Sequence, residues 1–320
     1  MAKKGAAASS LDKQLRTIAQ KNHELGGITG MNTKTKHSSI LFSEKEASDL
    51  DLRTIREVGL KGLHELQKKD GEGDFWLSME VELFPFDGSM VEEYDRSLKT
   101  KAENDKLDVQ LMRVLRRLSV HYGETCAHQL MEWLIRAYRV NEMNIEAVMS
   151  CILPWHETAA FVRTVQTIFF QDGDKWGFLY EKVKRDASAI TREFLAKRAV
   201  VDASVLQSVF YTVQWLYQQG QQPQMYCSFW LELSLCMVSL MQAEPKPLYA
   251  LLPLCESAAR SRPYEHLQIA GYVLFAALMQ KYESVLDNYA DMVESFMTKA
   301  KAMATAETRK YLVQMEEALI

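Results

Sequence analysis

Cysteine is scarce in this sequence, with five in 320 residues, and none forms a C-x-x-C pair. Cys126, Cys151, Cys227, Cys236 and Cys255 each sit in an apolar, helix-like context, which reads as reduced thiols in a cytosolic or nuclear compartment. No N-x-[ST] sequon occurs, and the start MAKKGAAASSLDKQL lacks the apolar core of a signal peptide. Fourteen Gly and seven Pro exclude collagen-like or low-complexity character. The longest apolar stretch, Tyr226 to Met241, contains Glu232 and is too short to span a bilayer, so the sequence reads as that of a soluble protein. A strong basic excess is also missing. The net charge is −4, unlike the footprint of most nucleic-acid domains.

What is present is ample apolar content, 48%, with 25% charged residues, enough to bury a sizeable core. Charge is uneven. Residues 1–40 carry Lys3, Lys4, Lys13, Arg16, Lys21, Lys34 and Lys36 against Asp12 and Glu24, a net +5, and residues 41–108 are acidic. A basic arm before an acidic body suits contact with RNA; a solvated terminus is the plainer alternative. Residues 1–10 read as a flexible basic arm. Leu11, Leu15 and Ile18 share one side of a short amphipathic helix, and 11–40 reads as that helix and a loop.

Ser43 followed by Glu46 is a capping box, predicting a helix to about Lys68 with Ala47, Leu50, Ile55, Val58, Leu60 and Leu63 on its apolar face. Asp70 to Asp74 reads as a solvated turn. From Lys101 onward the pattern is helix after helix, and no convincing strand alternates with period two. Pro154 is placed in the first turn of a helix running to about Phe170, and a segment near 175–184 is read as helical. Pro247–Ala259 with Tyr264–Tyr282 has the length of one HEAT unit. The fold class is all-α, with antiparallel helical pairs stacked as a HEAT-like solenoid over 41–320; a compact all-helical domain is the alternative.

No reactive centre is signalled. Walker, dinucleotide and nucleophile-elbow motifs are missing, as is H-E-x-x-H. His121 and His128 are separated by Gly123, and Asp172-Gly173-Asp174 lacks calcium-loop oxygens at Trp176 and Val183. Arg113, Arg116 and Arg117 cluster on one helix, where surface ion pairs are the default and RNA phosphates the alternative. The run Met225, Tyr226, Phe229, Trp230, Leu233, Cys236, Met237, Leu240 reads as a helix buried on much of its surface, with a Met-rich partner groove as the alternative. No catalytic, cofactor or metal residue is assigned.

Several blocks resemble one family. Ser9 to Leu15, Ser39-Ile40-Leu41-Phe42-Ser43-Glu44-Lys45-Glu46-Ala47, Arg96 to Lys101 with Asn104 and Leu107-Asp108, Glu132-Trp133-Leu134-Ile135-Arg136-Ala137-Tyr138, and Cys151 to Thr158 with Phe161-Val162-Arg163 follow in order. They resemble the N-terminal region of the large HEAT-repeat subunit of the small-subunit processome, a U-three snoRNP-associated family. Lys99, Ala137 and Tyr138 depart from its usual residues. The chain ends within an apolar helical pattern at Glu317 to Ile320, which with the resemblance suggests the N-terminal domain of a longer protein or an unusually short relative.

The resemblance implies a nucleolar, non-enzymatic scaffold without cofactor. Its expected partners are a β-propeller subunit and other subunits of the same subcomplex, at the 5′ external transcribed spacer of pre-rRNA, for 18S rRNA maturation. A HEAT-type transport or trafficking adaptor is the alternative. Protein contact is assigned to Leu11, Leu15 and Ile18, and RNA contact to Lys3, Lys4, Lys13 and Arg16. The acidic body points to protein partners more than RNA. Trp133, Leu134 and Tyr138 are expected in the core. Glu157 and Thr158 are expected in a first helical turn, and His156 bonded to the preceding helix end.

Overall fold

The computed structural model of the chain describes residues 38–71, 73–84, 92–171, 173–241, 245–282 and 290–318. Lys3, Lys4, Lys13, Arg16, Leu11, Leu15 and Ile18 lie outside the described residues, as does the basic arm.

Ser43 opens the first helix as its spacing predicts. Its hydroxyl accepts the Glu46 N–H, and the Glu46 carboxylate accepts the Ser43 N–H at 3.0 Å. That helix, α1, covers only Glu44–Asp49. A single helix to Lys68 is incorrect, because Asp51 intervenes. Its carboxylate accepts the Thr54 N–H at 2.8 Å and caps a new helix, α2 (Leu52–Asp70). Two capped starts replace one, each worth about 1 kcal/mol. Next come α3 (Gly73–Leu83), α4 (Lys101–Leu118), α5 (Thr125–Tyr138), the single turn α6 (Val140–Met143) and α7 (Ile145–Ile152). Thr100 and Glu103 form a second capping box at the start of α4.

Pro154 does not begin the next helix. It lies in a 3-10 turn, Leu153–Trp155, and α8 (Ala159–Thr167) starts at Thr158, whose hydroxyl accepts the Phe161 N–H at 3.2 Å. Glu157 and Thr158 therefore precede the helix. Between 168 and 191 the expected regular helix gives way to turns and one wide π-type turn, Tyr180–Arg185. The remaining helices are α9 (Arg192–Val201), α10 (Ser204–Gln218), α11 (Gln224–Leu240), α12 (Pro245–Ala259), α13 (Glu265–Lys281), α14 (Ala290–Met303) and α15 (Arg309–Ala318).

Packing from α9 onward is a ladder. Helices α9, α11, α13 and α15 each lie on the next, α12 lies on α14, and the pairs α10–α11, α12–α13 and α14–α15 close the layers. This is the stacked pairing of a HEAT-like all-α solenoid, in which a unit buries its apolar face mainly on its neighbours. Tyr226, Trp230, Leu233 and Met237 of α11 are buried, as the helical spacing predicts. Among the described residues there is no strand, and no helix is long and apolar enough to cross a membrane.

Candidate functional site

Helices α2 and α5 cross at close range, and the residues there explain it. A Cβ on Gly62 would lie 2.4 Å from the Cys126 carbonyl oxygen, and one on Gly59 would lie 2.5 Å from the Trp133 Cβ. Neither glycine drew notice in the sequence, since a close approach is invisible until the opposing helix is known. With α5 held this near, its side chains reach other segments.

Glu132 is fully buried and gathers the irregular lead into α1. One carboxylate oxygen accepts the Ile40 N–H at 2.8 Å, the Ser39 hydroxyl at 3.0 Å and the Leu41 N–H at 3.3 Å. Burial pushes its carboxyl above the usual range, against the opposing pull of these bonds. One turn on, Arg136 donates to the Ala47 carbonyl at 3.0 Å and the Leu50 carbonyl at 3.4 Å. Trp133 and Tyr138 both donate to the Leu83 carbonyl, at 2.9 and 2.8 Å. Phe84 stacks on Trp133, and Trp133, Leu134 and Tyr138 are core residues, as expected. The 132–138 block therefore binds the 39–47 block.

Asp70 corrects the solvated-turn reading. Its side chain is 7% exposed and accepts from Arg117 Nε at 2.6 Å and Trp76 Nε1 at 2.8 Å, with His121 Nε2 at 3.5 Å. Burial works against its charge, but the bonds from His121, Arg117 and Trp76 win and hold its carboxyl at about 2. The bond to Asp70 raises the His121 imidazole against the effect of its own burial. With its amide oriented to accept, Gln221 receives both Arg117 Nη groups at 2.6 Å. Arg117 is 2% exposed, so it is neither a surface ion pair nor an RNA contact. Arg116 is half-buried over the Trp215 ring, and Arg113 lies over Phe75. The expected surface cluster is mostly internal, because α3, the end of α10 and the turn at Gln221 cover that face.

A third clasp joins Arg96, Asp108 and Asn144. Arg96 binds both Asp108 oxygens, at 2.6 and 3.1 Å, and the Asn144 carbonyl oxygen at 3.0 Å; Asn144 returns a bond to Asp108 at 2.7 Å. Beside it opens a cleft of about 450 Å³, lined by Glu92, Glu93, Tyr94, Leu98, Arg139 and Met143. Leu98 is 80% and Met143 54% exposed. Arg139 offsets part of the acidity through Glu93 and Glu142. Exposed apolar side chains interleaved with acidic ones suit contact with a protein surface.

Among the described residues, reactive chemistry has no comparable centre. His128 contacts the Tyr122 carbonyl at 2.7 Å, while His121 serves Asp70, so the two histidines act apart. His156 is tied to the preceding turn: its backbone N–H donates to the Leu153 carbonyl at 3.2 Å, and its buried ring lies against the Leu153 and Pro154 backbone. Cys126, Cys151, Cys227 and Cys255 are buried and Cys236 is half-buried; burial pushes the Cys227 thiol up to about 11 and the Cys151 thiol well above its ordinary value. Among the described residues no group of three or more His, Cys, Asp or Glu is placed to hold a metal ion.

No family model matches the chain. It is similar to the HEAT repeat-containing protein 1 homolog of Dictyostelium discoideum, 27% identical over 273 residues, covering 85% of this chain and 12% of the relative. It is also similar to the U3 small nucleolar RNA-associated protein 10 of Mycosarcoma maydis, 28% identical over 273 residues, covering 82% of this chain and 11% of the relative. The Schizosaccharomyces pombe protein of the same name is 31% identical over 156 residues, 49% of this chain and 9% of the relative. The chain thus spans about a tenth of the length of these curated relatives. The similarity to proteins named HEAT repeat-containing protein 1 and U3 small nucleolar RNA-associated protein 10 extends over 82–85% of this chain in the longer matches.

Proposed function

We propose that this chain is a non-enzymatic docking segment of the small-subunit processome, acting in the nucleolus during ribosome biogenesis. The observation that carries this reading is its similarity to relatives named for association with U3 small nucleolar RNA. What supports a contact role is that buried charges hold helices together while the cleft beside Arg96 sets exposed Leu98 and Met143 among acidic side chains. Its partners are a β-propeller subunit and other proteins of the same subcomplex, assembled at the 5′ external transcribed spacer of pre-rRNA for 18S rRNA maturation. Several weak contacts on one chain then act together through tethering.

Within this reading, Leu11, Leu15 and Ile18 dock on a partner, and Lys3, Lys4, Lys13 and Arg16 meet RNA. Purification of the chain from its own cells, with and without RNase, tests the whole reading. Recovery of β-propeller processome subunits and 5′ spacer RNA is the expected result, with protein partners surviving RNase. Soluble cargo without ribosomal precursors would instead identify a transport adaptor. Charge reversal at the four basic residues should reduce RNA crosslinking; unchanged crosslinking removes them as the contact.

A further inference from the structure

The walls of the 450 Å³ cleft beside the Arg96 clasp are fixed by the fold. On one side the lead into α4 is pinned. The Tyr94 N–H donates to the Ala137 carbonyl at 2.8 Å, and the Asp95 carboxylate caps the 3-10 turn Arg96–Leu98 by accepting the Ser97 N–H at 2.9 Å. Behind that turn Arg96 is locked by Asp108 and Asn144, and Asn104 donates to the Arg96 carbonyl at 3.0 Å. On the other side Arg139, at φ 52°, turns the chain from α5 into α6 and brings Met143 to the cleft. Backbone held in this way loses little freedom when something binds to it.

Leu98 and Met143 are nevertheless outside the core, 80% and 54% exposed. One exposed apolar side chain is ordinary; two on fixed backbone in one cleft form apolar surface that an occupant can cover. The cleft lies within the roughly 300–1,000 Å³ of sites that hold a ligand, and it is open enough for more than one side chain.

Charge decides what lies there. Glu92, Glu93 and Asp95 line the cleft and are exposed. Arg96 lines it too, but both Asp108 oxygens already engage its guanidinium. Arg139 is divided between Glu93, at 3.7 Å, and Glu142. Lys99 sits over the Tyr94 ring at 5.8 Å, with the Glu103 carboxylate near it. With these neighbours counted, six carboxylates meet three cations. The excess repels nucleic-acid phosphates and acidic peptides. Leu98 and Met143 favour aliphatic surface, and the carboxylates beside them favour ammonium or guanidinium groups. Lysine and arginine, whose stems lie on apolar surface while their heads stay in water, meet both demands when a large aliphatic residue stands between them.

From this arrangement we propose that the cleft formed by Glu92–Leu98 and Arg139–Met143 docks a basic segment of a partner protein, with lysine or arginine on either side of a large aliphatic residue. The aliphatic side chain lies on Leu98 and Met143, and the cations pair with Glu92 and Glu93. This deepens the docking reading and rests on it only in supposing a protein partner. Its test is read without ribosomal precursors, so either can fail while the other stands.

The test uses the whole 320-residue chain, methyl-labelled at methionine, with the peptide acetyl-Lys-Leu-Lys-Leu-Lys-amide. A second peptide replaces each Leu by Gly, and a third replaces each Lys by Glu. The Met143 methyl signal, assigned by its loss in Met143→Leu, reports the cleft. The first peptide should shift it saturably with a Kd of about 0.1–1 mM. The glycine peptide should bind about tenfold more weakly, as should the first peptide to the Glu92→Gln/Glu93→Gln double variant, and Leu98→Ser should cost about fivefold. These three side chains are exposed, and an unchanged melting temperature checks that the variants fold. Glu157→Gln/Glu307→Gln, exposed elsewhere, is the charge-matched control, with an expected loss under about twofold. The proposal is overturned by no saturable Met143 shift up to ~5 mM, by equal binding of the glutamate peptide, or by a control that weakens binding as much as the double variant. A Met143 shift on concentrating the chain alone would make the occupant a second copy and would overturn it too.

Discussion

The two ends of the described structure are held together by different means. Between Ser39 and Asn144, helices are tied by charged side chains reaching far along the sequence: Glu132 to Ile40, Arg136 to Ala47, Arg117 to Asp70, Arg96 to Asp108 and Asn144. From α9 onward, contacts pass from each unit to the next, and the buried polar links are mainly neutral. Gln268 of α13 is the main example, donating to the Ala259 and Met303 carbonyls and accepting from Thr308. A ladder of neighbours can open one unit at a time. A region with long-range charged clasps must lose several contacts together. The first region should therefore unfold as one cooperative block, and the second in steps.

The largest expected break of this contrast is Asp70→Ala. It strands Arg117 as a buried, poorly compensated charge and should cost about 3–5 kcal/mol. Hydrogen exchange should rise together in α2, α3 and α4, with the last four helices protected. Exchange confined to the α2 end would show that the block is not cooperative.

Acid reaches the same clasp without mutation. Asp70 has its carboxyl depressed to about 2, below its unfolded value. Its stabilisation is complete above the unfolded pKa near 4 and fades as pH falls toward 2. His121 has the opposite sign: its raised value gives stabilisation present below about 6.5 and lost as pH climbs through the raised folded value. The clasp should be firmest between these limits, and Asp70→Asn should flatten the acid side of a thermal-melting profile.

Glycine comparisons sharpen the point by size. Gly62→Ala drives a Cβ against a backbone oxygen at 2.4 Å and should cost about 3 kcal/mol. Gly271→Ala in the ladder meets the Ala258 Cβ and Ala259 nitrogen at 2.9 Å and should cost about 1–2 kcal/mol by thermal melting. Equal losses would mean the two crossings are equally rigid. The smallest effect is Thr158→Ala, which removes a cap at the start of α8 for about 1 kcal/mol.

The ladder was the more legible half. Its helices follow apolar periodicity, and Gln224–Leu240 and Glu265–Lys281 lie close to the spans the pattern predicts. Asp51 was overlooked because an N-cap inside a helical pattern looks like another exposed charge until the chain turns there. Asp70, Arg117, Glu132 and Arg136 were illegible for a different reason. Whether a charge is buried depends on a partner, and Arg117 and Asp70 are 47 positions apart while Glu132 and Ile40 are 92 apart. The family blocks include Glu132, Arg136 and the 39–47 segment that they bind, and only the fold gives these a physical job, as the two halves of one fastening.

The Glu132 and Arg136 fastening also has a mechanical meaning. Tension applied at residue 38 meets bonds from Ser39, Ile40 and Leu41 to a single carboxylate, backed one turn later by Arg136 on Ala47 and Leu50. Those bonds converge on one buried carboxylate, so pulling the segment free also strips that carboxylate of its partners. Tension applied at residue 318 reaches the final helix, whose packing on α13 and α14 can peel away turn by turn. The molecule is a tether with a strong end and a compliant end.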